Sequence, residues 1–581
     1  MLARFSRATP ALTLLGYLLL ALLVFRGWRF APTTDTLARG HGEASFFLWV
    51  LRWTPFAIAH GKNPFVTTYL NAPFGVNLLW NTSLPLPGLL LAPVTLLIGP
   101  VMTYNLLLTL GLGLSAWTAH LAIGRYVSSR LAAVVGGLVY GFSPYMRAHS
   151  LGHVNLTLVF LPPLLLLLLD DIVVRQRRGS LRDGALLGVA GACQFLISEE
   201  VLATTAITGL LLVVVLAVSH RRQVRSHLPY AAKAFGVAAL LFVVLAAVPL
   251  VNQLYGPYRY SGPASTGVQR LVNDLWTFVV PSGKQLLSTD ATAAVASRLP
   301  GNMAERAGYL GGPLLLLAIG VAVRWWSRPL VRTGALMACF TAVLSMGGTL
   351  YAGGHDTGFP LPWTLLRGLP VVESIVPARI ALYTAGFVGL LLAVFVDQVR
   401  TWSRWRRLLG GAVVLLALAP IVPRAVGAGM GPVDAPRFFT SAAVREVPAG
   451  SVALVVPFPD RLASVAMMWQ SMAGIHFKMP GGYFLGPGAD GRAQYGAPPS
   501  TTRAVIWKLT RGRATAKRLQ AHDCAAVKGE LRSWGVRTVL VGPTTHQAEV
   551  AAFFRGLLGR PPEHVGGVLV WKDLELGSAC R

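Results

Sequence analysis

Charged residues are scarce in this 581-residue chain, since Asp, Glu, Lys and Arg make up only 13% of it while hydrophobic residues make up 54%. Soluble globular domains carry about 25% charged residues. The shortage therefore excludes an ordinary soluble globular protein. Repeated apolar runs of nearly 20 residues indicate instead a helical membrane protein with several spans.

Acidic residues are the scarcer charged class, with 23 Asp and Glu against 51 Lys and Arg and a formal net charge of +28. In a soluble protein this excess would point to nucleic acid. Here most of the excess can be assigned to arginines in short loops between apolar runs, and that pattern sets the orientation of a membrane protein. We therefore expect membrane lipids, and no nucleic acid, as partners.

Cysteine is also rare, with four residues and no CxxC motif. Cys193 and Cys339 lie inside apolar runs and are predicted to be inert packing residues. Cys524 and Cys580 lie near the C-terminus, where a disulfide is expected if that region is extracytoplasmic. No His/Cys cluster indicates zinc, and no nucleotide-binding fingerprint follows a predicted strand, so we expect no nucleotide or redox cofactor.

Eleven apolar segments are predicted to cross the membrane as helices. They are residues 10–27, 102–124, 130–143, 154–174, 184–198, 201–218, 231–251, 308–324, 331–348, 379–398 and 408–426. Arg4 and Arg7 place the N-terminus in the cytoplasm, and no small-residue cleavage site lies close behind the first segment, so we expect an uncleaved first helix. Residues 84–99 are apolar but short and contain three prolines, which predicts a re-entrant or interfacial segment.

The parity of the arginine-rich loops supports this topology. Five loops carry them: Arg125 and Arg130; Arg175, Arg177, Arg178 and Arg182; Arg221, Arg222 and Arg225; Arg324, Arg328 and Arg332; Arg400, Arg404, Arg406 and Arg407. All five become cytoplasmic only if residues 84–99 do not cross. We therefore predict a multi-pass protein of the plasma (inner) membrane. Its transmembrane domain covers 1–426, with a first outer loop at 28–83 and a long outer loop at 252–307.

Residues 427–581 have a different pattern. Runs at 451–458, 536–543 and 565–571 are rich in β-branched residues and predict short buried strands. Helical patterns lie around 461–473 and 513–533. We predict a small extracytoplasmic α/β domain.

Two carboxylates lie in the first outer loop, Asp35 and Glu43. Glu43 directly precedes aromatic and apolar residues at helical spacing, beginning with Phe46 and Phe47. An acid followed by an amphipathic helix at a membrane face suggests a reaction centre at the interface. The alternative is a solvated acid, or one favoured by the positive end of the helix dipole.

Further polar residues return to the same predicted face between the apolar segments. Arg147, His149 and His153 are costly at a membrane boundary unless they face a polar cavity or a headgroup. His149 and His153 are four residues apart, so on a helix they share a face and could bind a metal ion or a phosphate. Glu199 and Glu200 are adjacent acids that repel each other, so at least one is expected to be paired or metal-bound.

Cationic and aromatic residues form the last set of candidates. Tyr258 and Arg259 lie in a tyrosine-rich stretch of the long outer loop, a common surface for stacking sugars and binding phosphate. Arg379 stands at the outer start of a predicted span, where it can hold a lipid phosphate. Snorkelling toward the headgroups is the equally weighted alternative.

Four stretches resemble the GT-C glycosyltransferases, and more narrowly a bacterial, largely actinobacterial group of GT-C-like membrane proteins. They are Phe46–Trp53, Asn63–Ser83, Tyr140–Leu156 and Val376–Arg379. The resemblance covers roughly residues 10–426. It implies transfer of a hexosyl or pentosyl group from a polyprenyl-phosphate donor to a glycan or lipid acceptor of the cell envelope, on the outer face.

The resemblance also implies a catalytic base in the first outer loop. Glu43 stands where the related group usually has Asp, which keeps a carboxylate but lengthens its arm, and Asp35 is the second candidate. Some GT-C enzymes need a divalent metal and others do not. The pairs Glu199 and Glu200 or His149 and His153 are the candidate ligands here.

Two other classes of function stay open. A transporter or flippase of lipid-linked sugars would share a cationic outer cavity but should carry ionisable residues deep in its spans. Asp170, Asp171 and Asp397 lie instead at predicted inner ends, which favours the enzyme. The third class is a non-catalytic protein of envelope assembly.

Overall fold

Helices account for most of the first 424 residues in the computed structural model, which describes residues 8–25, 31–37, 42–263, 267–424 and 430–575. The helices of this part are α1 (Ala8–Val24), α2 (Glu43–Ala59), α3 (Pro85–Leu90), α4 (Ala92–Leu97), α5 (Pro100–Ile123), α6 (Arg130–Gly141), α7 (Pro144–His149), α8 (Pro162–Asp170), α9 (Ser180–Phe195), α10 (Glu199–Ser219), α11 (Arg221–Tyr255), α12 (Asp290–Arg298), α13 (Gly312–Arg324), α14 (Pro329–Ser345), α15 (Ala381–Val399) and α16 (Arg404–Leu418). The predicted topology markers Arg4 and Arg7 lie outside the described residues.

Each of the eleven predicted spans overlaps one of these helices. Within the described ranges, four helical segments are long and apolar enough to cross a membrane: Pro100–Ile123, Glu199–Ser219, Arg225–Tyr255 and Pro377–Val399. Shorter apolar helices are Pro10–Val24, Arg130–Gly141, Gly312–Arg324 and Pro329–Ser345. The helix positions agree with the predicted spans, while the count of eleven crossings stays a prediction.

The apolar stretch at 84–99 is broken into two short helices, α3 and α4. Each has six residues, so each is about 9 Å long, far less than the roughly 30 Å of a bilayer core. Proline occupies the first turn of both helices, which explains the break. Leu90 and Leu97 leave 67% and 85% of their side chains exposed, as an interfacial segment would.

Contacts divide the chain into two units that are not continuous in sequence. Unit 1 contains Met1–Phe30, Leu106–Ala247 and Ser265–Ala428; unit 2 contains Ala31–Asn105, Val248–Ala264 and Gly429–Arg581. Unit 2 thus combines most of the predicted first outer loop with the C-terminal region. The division at residue 426 describes membrane topology and stays a prediction.

Unit 1 is built around close packing of α15 against α6 and α14. A Cβ added to Gly136 would lie 2.9 Å from the Gly389 carbonyl oxygen, and one added to Gly389 would lie 2.8 Å from that of Gly136. Small residues allow such close approach of apolar helices. A hydrogen bond of 3.0 Å between Thr341 and Thr384 joins α14 to α15.

Unit 2 contains the strands of the C-terminal region. They are β6 (Met430–Pro432), β7 (Val452–Val456), β8 (Leu485–Pro487), β9 (Ala493–Tyr495), β10 (Val536–Val541), β11 (Glu563–Val565) and β12 (Val568–Trp571). Four form a sheet in the order β11-β12-β10-β7, in which only β10 and β7 pair in parallel. The helices of this region are α17 (Arg437–Thr440), α18 (Val465–Met472), α19 (Thr501–Thr510), α20 (Ala516–Ser533) and α21 (Gln547–Leu558).

Three of these strands and two of these helices fall where the sequence predicts them. The runs at 451–458, 536–543 and 565–571 contain β7, β10 and β12, and the predicted helices contain α18 and α20. Cys524, on α20, is disulfide-bonded, whereas Cys580 lies outside the described residues. Cys193 and Cys339 are free thiols; Cys339 is exposed, so it is not a packing residue of the protein interior.

Short strands complete the earlier part of the chain: β1 (Asp35–Leu37), β2 (Val66–Thr67), β3 (Val76–Asn77), β4 (Thr349–Ala352) and β5 (His355–Pro360). β2 and β3 form a hairpin in unit 2, and Gly75 just before β3 adopts φ +87°. A Cβ there would lie 2.6 Å from the Tyr258 ring, so the ring packs directly on the glycine. This contact requires glycine both for its backbone angle and for its missing side chain.

We expect Gly75→Ala to destabilise the fold more than Gly61→Ala. Gly61 also has a positive φ, +61°, but no atom lies within 4 Å of a Cβ added there. The control should therefore lose about 1–2 kcal/mol of unfolding free energy from backbone strain alone, and Gly75→Ala a further amount of about 1–3 kcal/mol from overpacking. Denaturant unfolding of both variants in detergent measures this, and equal losses would contradict the packing described for Tyr258.

Candidate active site

The predicted site residues are divided between the two units. Unit 2 holds Asp35, Glu43, Tyr258 and Arg259; unit 1 holds Arg147, His149, His153, Glu199, Glu200 and Arg379.

Glu43 is the first residue of α2 and is half-buried. The Tyr483 hydroxyl donates a hydrogen bond of 2.7 Å to its Oε1 atom. The residues that follow, from Ala44 to Leu51, are all buried, so the carboxylate lies at the point where the helix enters the protein. A carboxylate at a helix N-terminus is stabilised by the dipole, and a hydroxyl donor adds a charge-assisted hydrogen bond.

Tyr483 comes from the C-terminal region, immediately before the β8–β9 hairpin. Its ring stacks on that of Tyr495 with a centroid distance of 6.3 Å, and the exposed Arg461 guanidinium lies 4.7 Å from the Tyr495 ring centroid. Burial, and after it the Glu43 carboxylate, raises the pKa of Tyr483 above its usual range. The hydroxyl therefore stays protonated and donates to Glu43 throughout the neutral pH range.

The start of α2 is fixed in place by α18. The Ser464 hydroxyl donates to the Gly42 carbonyl oxygen at 2.9 Å and to the Ser45 hydroxyl at 3.2 Å. One and a half turns further on, the Trp49 indole N–H donates to the Gln470 side chain. These bonds hold the turn that carries Glu43, so its carboxylate is positioned by the C-terminal region on two sides.

Asp35 occupies a structural position in strand β1, which pairs with β6. Its backbone carbonyl accepts a hydrogen bond of 2.7 Å from the Asn105 amide. Its Oδ1 atom accepts a bond of 3.2 Å from the neighbouring Thr34 hydroxyl, in an exposed setting. Asp35 thus lacks the buried tyrosine donor that orients Glu43.

The segment with Tyr258 and Arg259 packs against other parts of unit 2. Arg259 is exposed, and its Nη1 atom donates to the Leu254 carbonyl at 2.9 Å. Tyr260 is buried, with its ring 4.6 Å from that of Trp80. The Ser261 backbone N–H then donates to the Gly491 carbonyl, at the tip of the β8–β9 hairpin, at 2.9 Å. This hairpin connects the cationic segment to the residues around Glu43.

In unit 1 an ionic cluster forms around Arg379, which lies in a short turn before α15. Its Nη1 atom donates to Glu200 at the start of α10. Its Nη2 and Nε atoms donate to Glu305 Oε1 at 2.6 Å and 3.1 Å. The sequence prediction that one of the adjacent acids is paired agrees with the position of Glu200.

Two histidines of the predicted cluster lie beside the same acid. His149 Nε2 is 3.8 Å from Glu305 Oε2, and the His149 and His153 rings are 5.3 Å apart. Burial alone would raise the pKa of Glu305, but the Arg379 guanidinium, followed by His149, lowers it to about 2. Glu305 is therefore ionised in the neutral range and is the centre of the cluster.

Sequence reasoning missed both Glu305 and Tyr483. Glu305 lies in the long loop before α13, where the Asn302 side chain accepts from its backbone N–H at 3.0 Å. Its partner Arg379 is 74 residues away, and Tyr483 is 440 residues from Glu43. No signal in the sequence singled out Glu305, since the long outer loop also contains Asp274 and Asp290.

Two further predictions concern the surroundings of Arg147 and the presence of a metal site. Arg147 lies beside Phe25, with its guanidinium 5.9 Å from the ring centroid, and burial lowers its pKa. Among the residues that the structure describes, no group of three or more His, Cys, Asp or Glu side chains is placed to hold a metal ion. Glu200 is joined to an arginine, so the predicted Glu199 and Glu200 pair does not form such a group in the described chain.

We expect Arg379→Met to destabilise unit 1 strongly, because it leaves Glu200 and Glu305 without their shared cation. Removing one partner of a buried ion pair costs about 3–5 kcal/mol. Lys572→Met is the matched control, since it also removes a cation shared by two acids, Glu446 and Glu563, but at an exposed site. That change should cost at most about 1 kcal/mol. Thermal unfolding of both variants measures the difference, and similar losses would show that the cluster is not a buried one.

The pH dependence of stability should reflect the ionisation of the Glu305 carboxyl. Because its folded pKa of about 2 lies below the usual pKa of 4.5 for a glutamate carboxyl, its contribution is complete above about pH 4.5 and is lost as the pH falls toward 2. We expect the difference in Tm between the wild type and Glu305→Gln to stay constant from pH 7 to pH 5 and to shrink below pH 4.5. A difference that already shrinks between pH 7 and pH 6 would contradict this assignment.

Solved structures show what the fold is similar to. The arabinofuranosyltransferase AftD from Mycobacteria, in class 2 of a mutant form, matches 98% of this chain with a TM-score of 0.56 and 15% identity; class 1 matches 100% with a TM-score of 0.51. The oligosaccharyltransferase of Archaeoglobus fulgidus gives a TM-score of 0.47 at 12% identity, over 93% of this chain and 70% of its own. The chain spans 42% of the AftD chain.

The predicted resemblance to the GT-C glycosyltransferases is confirmed at the level of the fold, and the described part of the chain has four helices long and apolar enough to cross a membrane. At 15% identity the similarity shows the fold and not the activity. No curated protein matches the chain in sequence. A family model does match, over residues 13–422, and its description is a domain of unknown function, DUF6311. This match covers more than half of the sequence, and the chain therefore belongs to the DUF6311 family.

Proposed function

We propose that this protein is a glycosyltransferase that moves a hexosyl or pentosyl group from a polyprenyl-phosphate donor to a cell-envelope glycan or lipid. The reaction takes place on the extracytoplasmic face of the plasma membrane, and Glu43 is the general base. The observation that carries the proposal is the half-buried Glu43 carboxylate, held by the Tyr483 hydroxyl at the start of α2 in a fold similar to that of AftD.

The reaction requires one carboxylate that accepts one proton. Glu43 takes the proton of the acceptor hydroxyl as its oxygen attacks the anomeric carbon of the donor sugar. The bond between that carbon and the phosphate oxygen breaks, and the lipid phosphate leaves with the electron pair. Tyr483 is a positioning residue, because its hydrogen bond fixes the direction of the carboxylate before the acceptor arrives.

The leaving phosphate requires a cation, and three arginines were predicted for this role. Arg379 already donates to two carboxylates, so binding a phosphate would require it to exchange those partners. Arg147 is half-buried beside Phe25. Arg259 is exposed, belongs to the same unit as Glu43, and donates from Nη1 to a backbone carbonyl. We therefore assign Arg259 as the first candidate to stabilise the phosphate.

No step is assigned to a divalent metal. The described residues offer no group of three metal ligands, and Glu200 forms an ion pair with Arg379. The residues present thus do not fit a metal centre at the positions that the sequence suggested.

The disulfide at Cys524 supports an extracytoplasmic position for the C-terminal region, since disulfides persist in oxidising compartments. The arginine-rich loops of unit 1 support the complementary assignment, with those loops in the cytoplasm. Because Tyr483 contacts Glu43 within unit 2, the same observations support a position of the candidate base outside the cytoplasm.

A transporter of lipid-linked sugars is the competing function, and the acids of unit 1 argue against it. Asp170 accepts hydrogen bonds from Arg175 at 2.6 Å and from Tyr126 at 2.7 Å. Asp397 caps a helix by accepting from the Ser128 and Ser129 backbone N–H groups. These acids are structural partners at helix ends and not ionisable groups along a transport path.

We expect Glu43→Gln to lower transfer from a polyprenyl-phosphate sugar by about 10²–10⁴-fold, because the amide cannot accept the proton. Asp35→Asn is the matched control, and it should retain activity because Asp35 is a strand residue at the surface. The readout is the mass spectrum of envelope glycans from a deletion strain that expresses each variant. Normal glycans with Glu43→Gln, or their loss only with Asp35→Asn, would overturn the assignment of the base.

We expect Tyr483→Phe to lower kcat by about 10–100-fold, which is the worth of a hydrogen bond to a charged group. The ring and its stacking on Tyr495 are retained, so the KM for the donor should change little. Tyr495→Phe is the control, because it removes a hydroxyl from the other ring of the stacked pair. A rise in KM with unchanged kcat for Tyr483→Phe would show that Tyr483 binds substrate and does not position the base.

A further inference from the structure

A cavity of about 480 Å³ lies inside unit 1, among α5, α8, α10, α14 and α15. Most of its wall is apolar, with residues such as Leu166, Leu212 and Phe387. Its volume falls within the range of ligand pockets, which is about 300–1,000 Å³. None of the predicted site residues lines it.

The two ends of the cavity differ in polarity. One end contains Tyr140 and Tyr383, whose hydroxyls are already hydrogen-bonded, to the Val159 carbonyl at 2.9 Å and to Thr205 at 2.8 Å. A ligand therefore meets no unused polar group from these two tyrosines. The deep end favours a hydrocarbon, since a polar group placed there would lose its hydrogen bonds to water.

The other end carries charge. Arg175, Arg177 and His220 line it together with Asp170. Asp170 is neutralised by Arg175, whose guanidinium also stacks 4.7 Å from the Tyr126 ring centroid. Arg177 is exposed, and no hydrogen bond or ion pair joins it to another residue in the described part of the chain. The mouth thus presents a net positive charge next to an apolar interior.

This mouth lies at the far end of α10 from the ionic cluster of Arg379. Glu200 stands in the first turn of α10 and His220 follows its last residue, so about 30 Å of helix separates them. The mouth belongs to the face that carries the arginine-rich loops. That face is predicted to be cytoplasmic, where the membrane leaflet is rich in anionic lipids.

We propose that this cavity binds an anionic glycerophospholipid of the cytoplasmic leaflet, with one acyl chain in the apolar interior and the phosphate at Arg177 and Arg175. The apolar depth, the satisfied tyrosine hydroxyls and the cationic mouth together fit an amphiphile with one negative headgroup. This site is separate from the Glu43 region and does not depend on the glycosyltransferase activity.

The test uses the purified full-length protein in a neutral detergent, with phosphatidylglycerol added or with phosphatidylcholine of the same acyl chains. A ligand that binds the folded state raises Tm. We expect phosphatidylglycerol to raise Tm by at least about 2 °C more than phosphatidylcholine does. Arg177→Ala should remove most of this difference.

Two controls keep the test specific. Arg182→Ala removes an exposed arginine in the first turn of α9, which does not line the cavity, and it should leave the shift unchanged. Leu166→Trp fills the interior and should remove the shift while the mouth keeps its charges. If that variant does not fold, bound lipid counted by native mass spectrometry of the wild type and Arg177→Ala decides instead.

Three results would overturn the proposal. Equal shifts with phosphatidylglycerol and phosphatidylcholine would show that the charged headgroup is not recognised. An equal shift with glycerol phosphate alone would show that the acyl chain does not enter the cavity. A shift with undecaprenyl phosphate but not with phosphatidylglycerol would assign the cavity to an isoprenoid carrier.

Discussion

An ionised side chain that leaves water must find an opposite charge or a strong hydrogen bond, and this requirement organises the charged groups of the protein. Each buried acid therefore needs a specific partner. Glu305 and Glu200 share Arg379, Asp170 is paired with Arg175, and Glu43 receives the Tyr483 hydroxyl. Glu43 is half-buried, and the Tyr483 hydroxyl fixes the direction of its carboxylate. A fixed direction is what a general base needs to meet the proton that it accepts.

The sequence predicted most of the helices, because an apolar run long enough for a bilayer is a local signal. The same holds for strands β7, β10 and β12, which consist largely of β-branched residues. Residues 84–99 show that proline is a useful signal, since both α3 and α4 carry a proline in their first turn. The number of membrane crossings stays a prediction, because length and composition alone identify four helices that could cross a membrane among the described residues.

The candidate site was less predictable, because its contacts join distant parts of the chain. Glu43 could be singled out from its position before an aromatic helix, and Glu200 from its acidic neighbour. Their partners could not be read from the sequence. Tyr483 precedes a hairpin with strands of only three residues, and Glu305 lies in a long irregular loop, so neither has a periodic pattern around it.

Unit 2 shows why the first outer loop and the C-terminal region should be regarded as one functional part. Ser464 and Gln470 hold α2, Tyr483 orients its first residue, and Ser261 reaches the hairpin tip. A carboxylate that is positioned by residues more than 400 positions away exists only in the complete fold. The cavity of unit 1 adds a second chemistry, recognition of an anionic lipid, at the end of α10 opposite to Glu200.

The most direct measurement is a structure of the purified protein with a bound polyprenyl-phosphate sugar that cannot be transferred. We expect the anomeric carbon of the sugar to face the Glu43 carboxylate, with room for an acceptor hydroxyl between them and with the Tyr483 hydrogen bond intact. A donor sugar bound out of reach of Glu43, with another acid beside its anomeric carbon, would contradict the assignment of Glu43 as the catalytic base.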